Sequence, residues 1–111
     1  MNCYYNVEIQ MAEGHKIGTG TLSMFGNYLN VNPNDLDERE DYRAVLFFKS
    51  DKKPTEIRSL IRSILKDMDN RIYYVDVVYR WEWEMNCDRF VLWADGREQD
   101  YTGTTVFKED N

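Results

Sequence analysis

The chain has 111 residues, 42% of them hydrophobic, and its 20 acidic and 14 basic side chains give a formal net charge of −6. This length suits one compact domain, and three Trp, eight Tyr and five Phe argue against a disordered or fibrous chain. The acidic balance disfavours direct binding of nucleic acid, which needs cations to neutralise its phosphates.

Two kinds of signal bear on where the protein works. Apolar runs fall short of the roughly 18 residues that a membrane helix needs, and the first residues have neither the basic nor the apolar region of a secretory signal. We therefore expect a cytoplasmic protein without membrane contact. Its two cysteines, Cys3 and Cys87, are too few for a disulfide framework or a zinc site, so we expect reduced thiols.

Alternation predicts a strand near the N-terminus. Its apolar residues are Tyr5, Val7, Ile9 and Met11. A polar turn follows at 13–15, and the segment Lys16 to Val31 is predicted to return as the second strand of a hairpin. Three glycines inside that segment, Gly18, Gly20 and Gly26, are interpreted as bulges or bends.

The middle of the chain contains a loop, a strand and a helix. Acids and turn formers at 32–41 predict an exposed acidic loop, and the apolar run within 42–49 predicts a central strand. Helical spacing follows at Ile57, Leu60, Ile61, Ile64, Leu65 and Met68. Pro54 suits the first turn of this helix, and Asn70, in a left-handed conformation, is predicted to end it.

The fifteen residues from Arg71 to Met85 alternate as one long strand. Its predicted covered face carries Tyr73, Val75, Val77, Tyr79, Trp81, Trp83 and Met85, and its predicted wet, acidic face carries Asp76, Arg80, Glu82 and Glu84. Further strands at 89–94 and 101–107 follow, with a hairpin turn at Asp95-Gly96 between them. The predicted fold is one α+β domain over 1–111, an antiparallel sheet of about six strands in the order β-β-β-α-β-β-β with one helix on one face.

Chemical motifs are weak throughout the chain. His15 is the only histidine and lies in a predicted turn, which gives little support for a nucleophile and base pair. Glu82 and Glu84 share a strand face, a spacing that alternation alone produces. Arg58, Arg62 and Lys66 form a basic stripe on the helix that could track phosphates, but the net charge opposes this function. The sequence predicts no catalytic residue, no cofactor and no metal site.

Charge is therefore the main guide to function. We expect a small acidic inhibitor, of the immunity or phage anti-defence type, that blocks a basic and nucleic-acid-handling bacterial enzyme or toxin through direct protein contact. The predicted partner-binding residues are Asp76, Glu82, Glu84, Tyr74, Trp93, Asp35, Asp37, Glu38, Glu40 and Asp41. One alternative is a homodimeric structural or adaptor domain that pairs through a sheet edge. A second alternative is a small-ligand binder or enzyme with a pocket between helix and sheet.

Overall fold

The structure, a computed structural model, describes residues 1–32 and 36–104, with the backbone alone at 36, 37 and 104. Strands, in which apolar and polar residues alternate, and two helices follow one another along the chain. The elements are β1 (Cys3–Met11), α1 (Thr19–Leu29), β2 (Leu36–Arg39), β3 (Arg43–Ser50), α2 (Pro54–Asp67), β4 (Ile72–Trp81), β5 (Cys87–Trp93) and β6 (Glu98–Thr104).

The strands form one antiparallel sheet of six, in the order β2-β3-β1-β4-β5-β6. This confirms the predicted α+β class and the antiparallel sheet. The N-terminal strand lies at the centre, where Val7 faces Leu46 of β3 on one side and Val77 of β4 on the other. Alternation along β1 gives the sheet one apolar face and one mixed face.

Both helices contribute to the core on the apolar face of the sheet. Tyr5, Val7 and Ile9 of β1 are fully buried there, together with Ile57 and Ile61 of α2. The predicted helix is thus confirmed, including Pro54 at its start. The predicted left-handed Asn70 is also observed, with φ of 64°, although the helix itself ends three residues earlier at Asp67.

The segment predicted as the second strand is a helix, so this part of the prediction was wrong. Helix α1 occupies Thr19–Leu29, and its buried residues Leu22, Phe25 and Leu29 recur at helical intervals. The three glycines weakened that periodic signal because glycine is unfavourable in a helix interior. The observed order is therefore β-α-β-β-α-β-β-β, with two helices where one was expected.

Substitution of Gly20 by alanine tests this helix. Gly20 is exposed in the first turn of α1, and a Cβ atom at this position meets no other atom within 4 Å. Because alanine restricts the unfolded chain and favours a helix, we expect Gly20→Ala to raise the free energy of unfolding by up to about 1 kcal/mol. Urea denaturation measures this change. A loss of stability would contradict a helix here, since alanine gains nothing in a strand.

Strand β4 is shorter than predicted, and residues at both ends of the predicted strand are exposed where they were expected to be covered. A register shift between Gln10 and Met11 of β1 puts Ile72 in the core and leaves Tyr73 51% exposed. The strand ends at Trp81, where a turn begins, so Trp83 and Met85 are exposed and not covered as predicted. Alternation could not predict these ends, because a bulge or a turn breaks the period of two.

The remaining differences concern the sheet edges. Four residues of the predicted acidic loop form the edge strand β2, whereas 33–35 lie outside the described residues. Asp95-Gly96 forms the predicted turn, with φ of 100° at Gly96, and β6 begins three residues before the predicted start. Within 1–32 and 36–104, no helix has the length and apolar character needed to cross a membrane.

Candidate protein-binding surfaces

One face of the sheet lies opposite the helices, and we call it the open face. Its residues include Tyr4, Asn6, Glu8, Arg43, Val45, Phe47, Lys49, Tyr74, Asp76, Val78, Arg80, Arg89, Val91, Trp93 and Tyr101. None of the described helices and strands packs over it. Val45 and Val91 are buried, yet neither belongs to the core beneath the helices.

Arginines neutralise the carboxylates of the open face. Asp76 accepts two hydrogen bonds from Arg89, at 2.9 and 2.7 Å. Glu8 and Glu38 both contact Arg43, at 3.1 and 2.6 Å, and these contacts raise the pKa of that guanidinium. The prediction of an acidic face was therefore wrong. The acids of this face alternate with cations on neighbouring strands, and alternation along one strand could not reveal this pairing.

Aromatic rings and arginines supply much of the remaining surface of the open face. Tyr4 lies 6.4 Å from Phe47 between ring centroids, and the Arg80 guanidinium lies 4.6 Å from the Tyr4 ring. Arg89 stacks similarly on Tyr101, at 4.6 Å. Tyrosine, tryptophan and arginine are enriched at protein interfaces because they combine large contact areas with polar groups.

Asn6 is the least satisfied polar residue of the open face. It is 5% exposed, and its Nδ2 has no hydrogen-bond partner among the described residues. A buried unpaired donor costs about 1–3 kcal/mol. The sequence placed Asn6 on the polar side of β1 but gave no sign that it would be buried.

A second surface is the turn between β4 and β5, residues 82–86, which we call the hairpin tip. Trp83 is 61% exposed and Met85 is 91% exposed. The Trp83 indole lies nearly parallel to that of Trp81, with an angle of 13° and 6.4 Å between centroids. Two carboxylates flank Trp83, since Glu82 precedes it and Glu84 follows it, and Met85 comes directly after Glu84.

The carboxylates of the hairpin tip are held loosely. Glu82 lies 3.9 Å from the Lys49 ammonium and accepts a 3.3 Å hydrogen bond from the backbone of Asn2. Glu84 accepts a 3.2 Å bond from the backbone N–H of Met85. Trp83 between these two carboxylates, with the exposed Met85 beside them, can contact a basic protein surface.

The structure divides the predicted site residues among three places. Tyr74 and Trp93 face each other across β4 and β5, at the end of the sheet opposite the hairpin tip. Glu40 and Asp41 lie exposed near that same end, and Asp41 approaches Lys16 at 3.9 Å. Asp35 and the side chain of Asp37 lie outside the described residues. Tyr74 and Trp93 share the open face with Asp76, whereas Glu82 and Glu84 lie at the other end of the sheet, so the residues predicted as one binding surface do not all meet.

Two of the three cations in the basic stripe predicted on α2 are bonded to the sheet, whereas the third, Lys66, is exposed. Arg58 donates hydrogen bonds to Glu98 at 2.9 Å and to Asp100. Arg62 donates to Glu98 at 2.8 Å and to the carbonyl oxygens of Trp93 and Arg97, both at 2.8 Å. These two cations clamp α2 to β6 and its preceding turn, which accounts for their position without a phosphate ligand.

The clamp predicts a pH dependence of stability. Hydrogen bonds from Arg62 and Arg58 lower the pKa of Glu98 in the folded protein, so the unfolded chain binds more protons in acid. The stabilisation is present above the ordinary carboxyl range and is lost as pH falls through the lowered pKa. We expect Glu98→Gln to lower stability at neutral pH and to lessen the loss of stability on acidification.

Urea unfolding at neutral and acid pH measures this effect. Glu13→Gln is the control, because Glu13 is an exposed carboxyl in the turn after β1. An equal acid dependence in Glu98→Gln and in the original protein would rule out the contribution of the clamp.

In comparisons with family models, curated proteins and solved structures, nothing matches this chain. The chemistry of the side chains must therefore guide the assignment. His15 is exposed after β1, whereas Cys3 and Cys87 are buried, and burial raises the pKa of the Cys3 thiol to about 11. In the described ranges, no group of three or more His, Cys, Asp or Glu side chains could hold a metal.

Shallow depressions run along the outer surface of α2. One is lined by Lys52, Thr55, Glu56, Ser59 and Leu60, and another by Arg62, Ser63, Leu65, Lys66 and Ala94. Neither contains His15, Asp76, Glu82 or Glu84. The hairpin tip combines exposed apolar area with acidic charge, so it is the better candidate for a functional contact.

Proposed function

We propose that the protein is a small inhibitor that binds a basic, nucleic-acid-handling protein through the hairpin tip. The observation that carries this proposal is the exposure of Trp83, which lies between Glu82 and Glu84, and of Met85, which follows Glu84. Exposed apolar patches with a polar rim often mark sites of protein interaction. The flanking acids favour a basic partner.

The mechanism is blockage by contact. A protein site that binds phosphates is basic, and carboxylates held on a folded scaffold compete for its cations. Trp83 supplies the contact area of an interface anchor and also an indole face, which attracts an arginine or lysine from the partner. The stacked Trp81 is packed against the core and supports this position of the Trp83 ring.

The acids of the open face form ion pairs with arginines, and this reduces the number of acids that are free to contact a partner. Asp76 was a predicted contact residue, but its bidentate bond to Arg89 leaves it only 16% exposed as a side chain. Glu38 is similarly bound to Arg43. The proposed inhibitor therefore relies on Glu82 and Glu84, with Glu40 and Asp41 contributing to long-range attraction from the other end.

Affinity capture from a lysate of the native host, at low and moderate salt, is the first test. The captured protein is purified, and its activity on nucleic acid is measured with increasing amounts of the inhibitor. We expect a basic partner whose activity falls to a minimum at a fixed stoichiometry and whose binding weakens with salt. A captured protein with unchanged activity would contradict inhibition.

A further inference from the structure

We propose that the open face is a self-association surface, on which a second copy of this chain packs face to face about a two-fold axis. The proposal goes beyond the inhibitor function, because it involves only Glu82 of the hairpin tip, which approaches Lys49 at the rim of the open face. Three properties of the open face support it: its balanced charge, the unsatisfied amide at its centre and its area.

The first property is charge. The open face and its rim carry four cations, Arg43, Lys49, Arg80 and Arg89, and four carboxylates, Glu8, Glu38, Asp76 and Glu82. These charges balance within a chain whose net charge is −6, so the excess acid lies elsewhere. Two identical acidic molecules repel each other, and a neutral face reduces that repulsion at contact.

The arrangement of these charges also suits a two-fold axis. In a symmetric dimer the same patch occurs on both sides, so it must complement itself. Acids and arginines alternate across neighbouring strands of the open face, as in the pairing of Asp76 on β4 with Arg89 on β5. Each copy therefore presents both signs to the other.

The second property is the amide of Asn6. This residue lies near the middle of the central strand β1, where Phe47 and Val78 face it from the neighbouring strands. Its Nδ2 has no partner among the described residues. A primary amide contains both donors and an acceptor, so two asparagines related by a two-fold axis can satisfy each other. Paired asparagines perform this role at other symmetric interfaces.

Access to Asn6 requires a change of side-chain conformation. Tyr4, two residues away on the same face, carries the stacked Arg80 guanidinium at 4.6 Å. Such long side chains change rotamer at interfaces while the backbone stays in place. Contacts of Tyr4 and Arg80 with the second copy then replace the contact between these two side chains.

The third property is area. Six strands spaced about 4.8 Å apart, with about eight residues each at about 3.3 Å, give the face roughly 600 Å² in projection. A standard interface buries about 800 Å² of accessible surface on each partner, and accessible area exceeds projected area. The edges are less suitable, because β2 has only four residues and its register shifts against β3.

Sedimentation velocity of the full chain, from low micromolar to sub-millimolar concentration, tests the proposal. We expect the mass to rise from the 13.3 kDa of one chain towards twice that value. Val78→Lys, at a half-buried position of the open face, should weaken dimerisation by about tenfold or more. Leu60→Lys is the matched control, since Leu60 is half-buried on α2 and should leave dimerisation unchanged.

A second variant, Asn6→Val, tests the same surface without introducing a charge that the folded monomer would have to accommodate. It removes the buried unpaired donor, so the monomer should be at least as stable while dimerisation weakens about tenfold. A mass of one chain at every concentration would overturn the proposal. So would a dimer that survives both open-face variants but is lost on Thr102→Pro in the edge strand β6, because that result assigns the contact to the edge.

Discussion

Ile61→Asp is expected to unfold the domain. Ile61 is fully buried in α2, where it packs in the core between the helices and the sheet. An aspartate at this position must be buried without a partner or force the helix away from the sheet, at a cost of about 4 kcal/mol or more. Domains of this size have about 5–15 kcal/mol of total stability. Circular dichroism and urea titration measure the loss.

Ser63→Asp is the control for this prediction. It introduces the same residue into the same helix at an exposed position, where the expected change is within about 0.5 kcal/mol. If both variants have the stability of the original protein, the stripe on α2 does not form the core.

Changes at the hairpin tip are expected to abolish binding without unfolding the protein. Trp83→Ala removes the largest exposed ring of the tip, and Glu82→Lys with Glu84→Lys reverses its charge. Because anchor residues dominate interface energies, we expect the triple variant to bind the captured partner at least about 100-fold more weakly. Calorimetric titration with the purified partner gives this ratio, and circular dichroism checks the fold.

The opposite end of the sheet provides a matched control. Tyr73 is also an exposed aromatic residue, and Glu40 and Asp41 are exposed acids at the same end. Tyr73→Ala with Glu40→Lys and Asp41→Lys therefore removes one ring and reverses two charges away from the hairpin tip. The proposed site predicts a smaller loss of affinity in this control, whereas equal losses would indicate that net charge alone governs binding.

The elements that the sequence predicted well have strong and undisturbed periods. Helix α2 has buried residues at every third or fourth position and a proline at its start, and both signals agree. In α1 the same period is present at Leu22, Phe25 and Leu29, but Gly20 precedes these residues and Gly26 lies among them. Local composition therefore favoured a bent strand, although tertiary packing of the apolar residues stabilises a helix.

The candidate surfaces were less predictable than the fold. Alternation assigned Asp76 and Glu82 to one side of β4, but it could not show that Arg89 lies beside the first and that a turn begins after Trp81. Pairing depends on strand register, and register arises from contacts between distant parts of the chain. The exposure of Trp83 was also missed. The prediction that Trp83 is covered required β4 to continue to Met85, whereas the strand ends at Trp81.

The central position of β1 has a consequence for the order of folding. Strand β1 leaves the ribosome before the two strands with which it pairs, β3 and β4, and β4 ends at Trp81. Synthesis must therefore pass residue 81, and expose it beyond the exit tunnel, before the centre of the sheet can close. Contacts between residues far apart in sequence slow folding because a long loop must be ordered first. We expect folding to be slow for a chain of this length, with the N-terminal strand exposed to chaperones during most of translation.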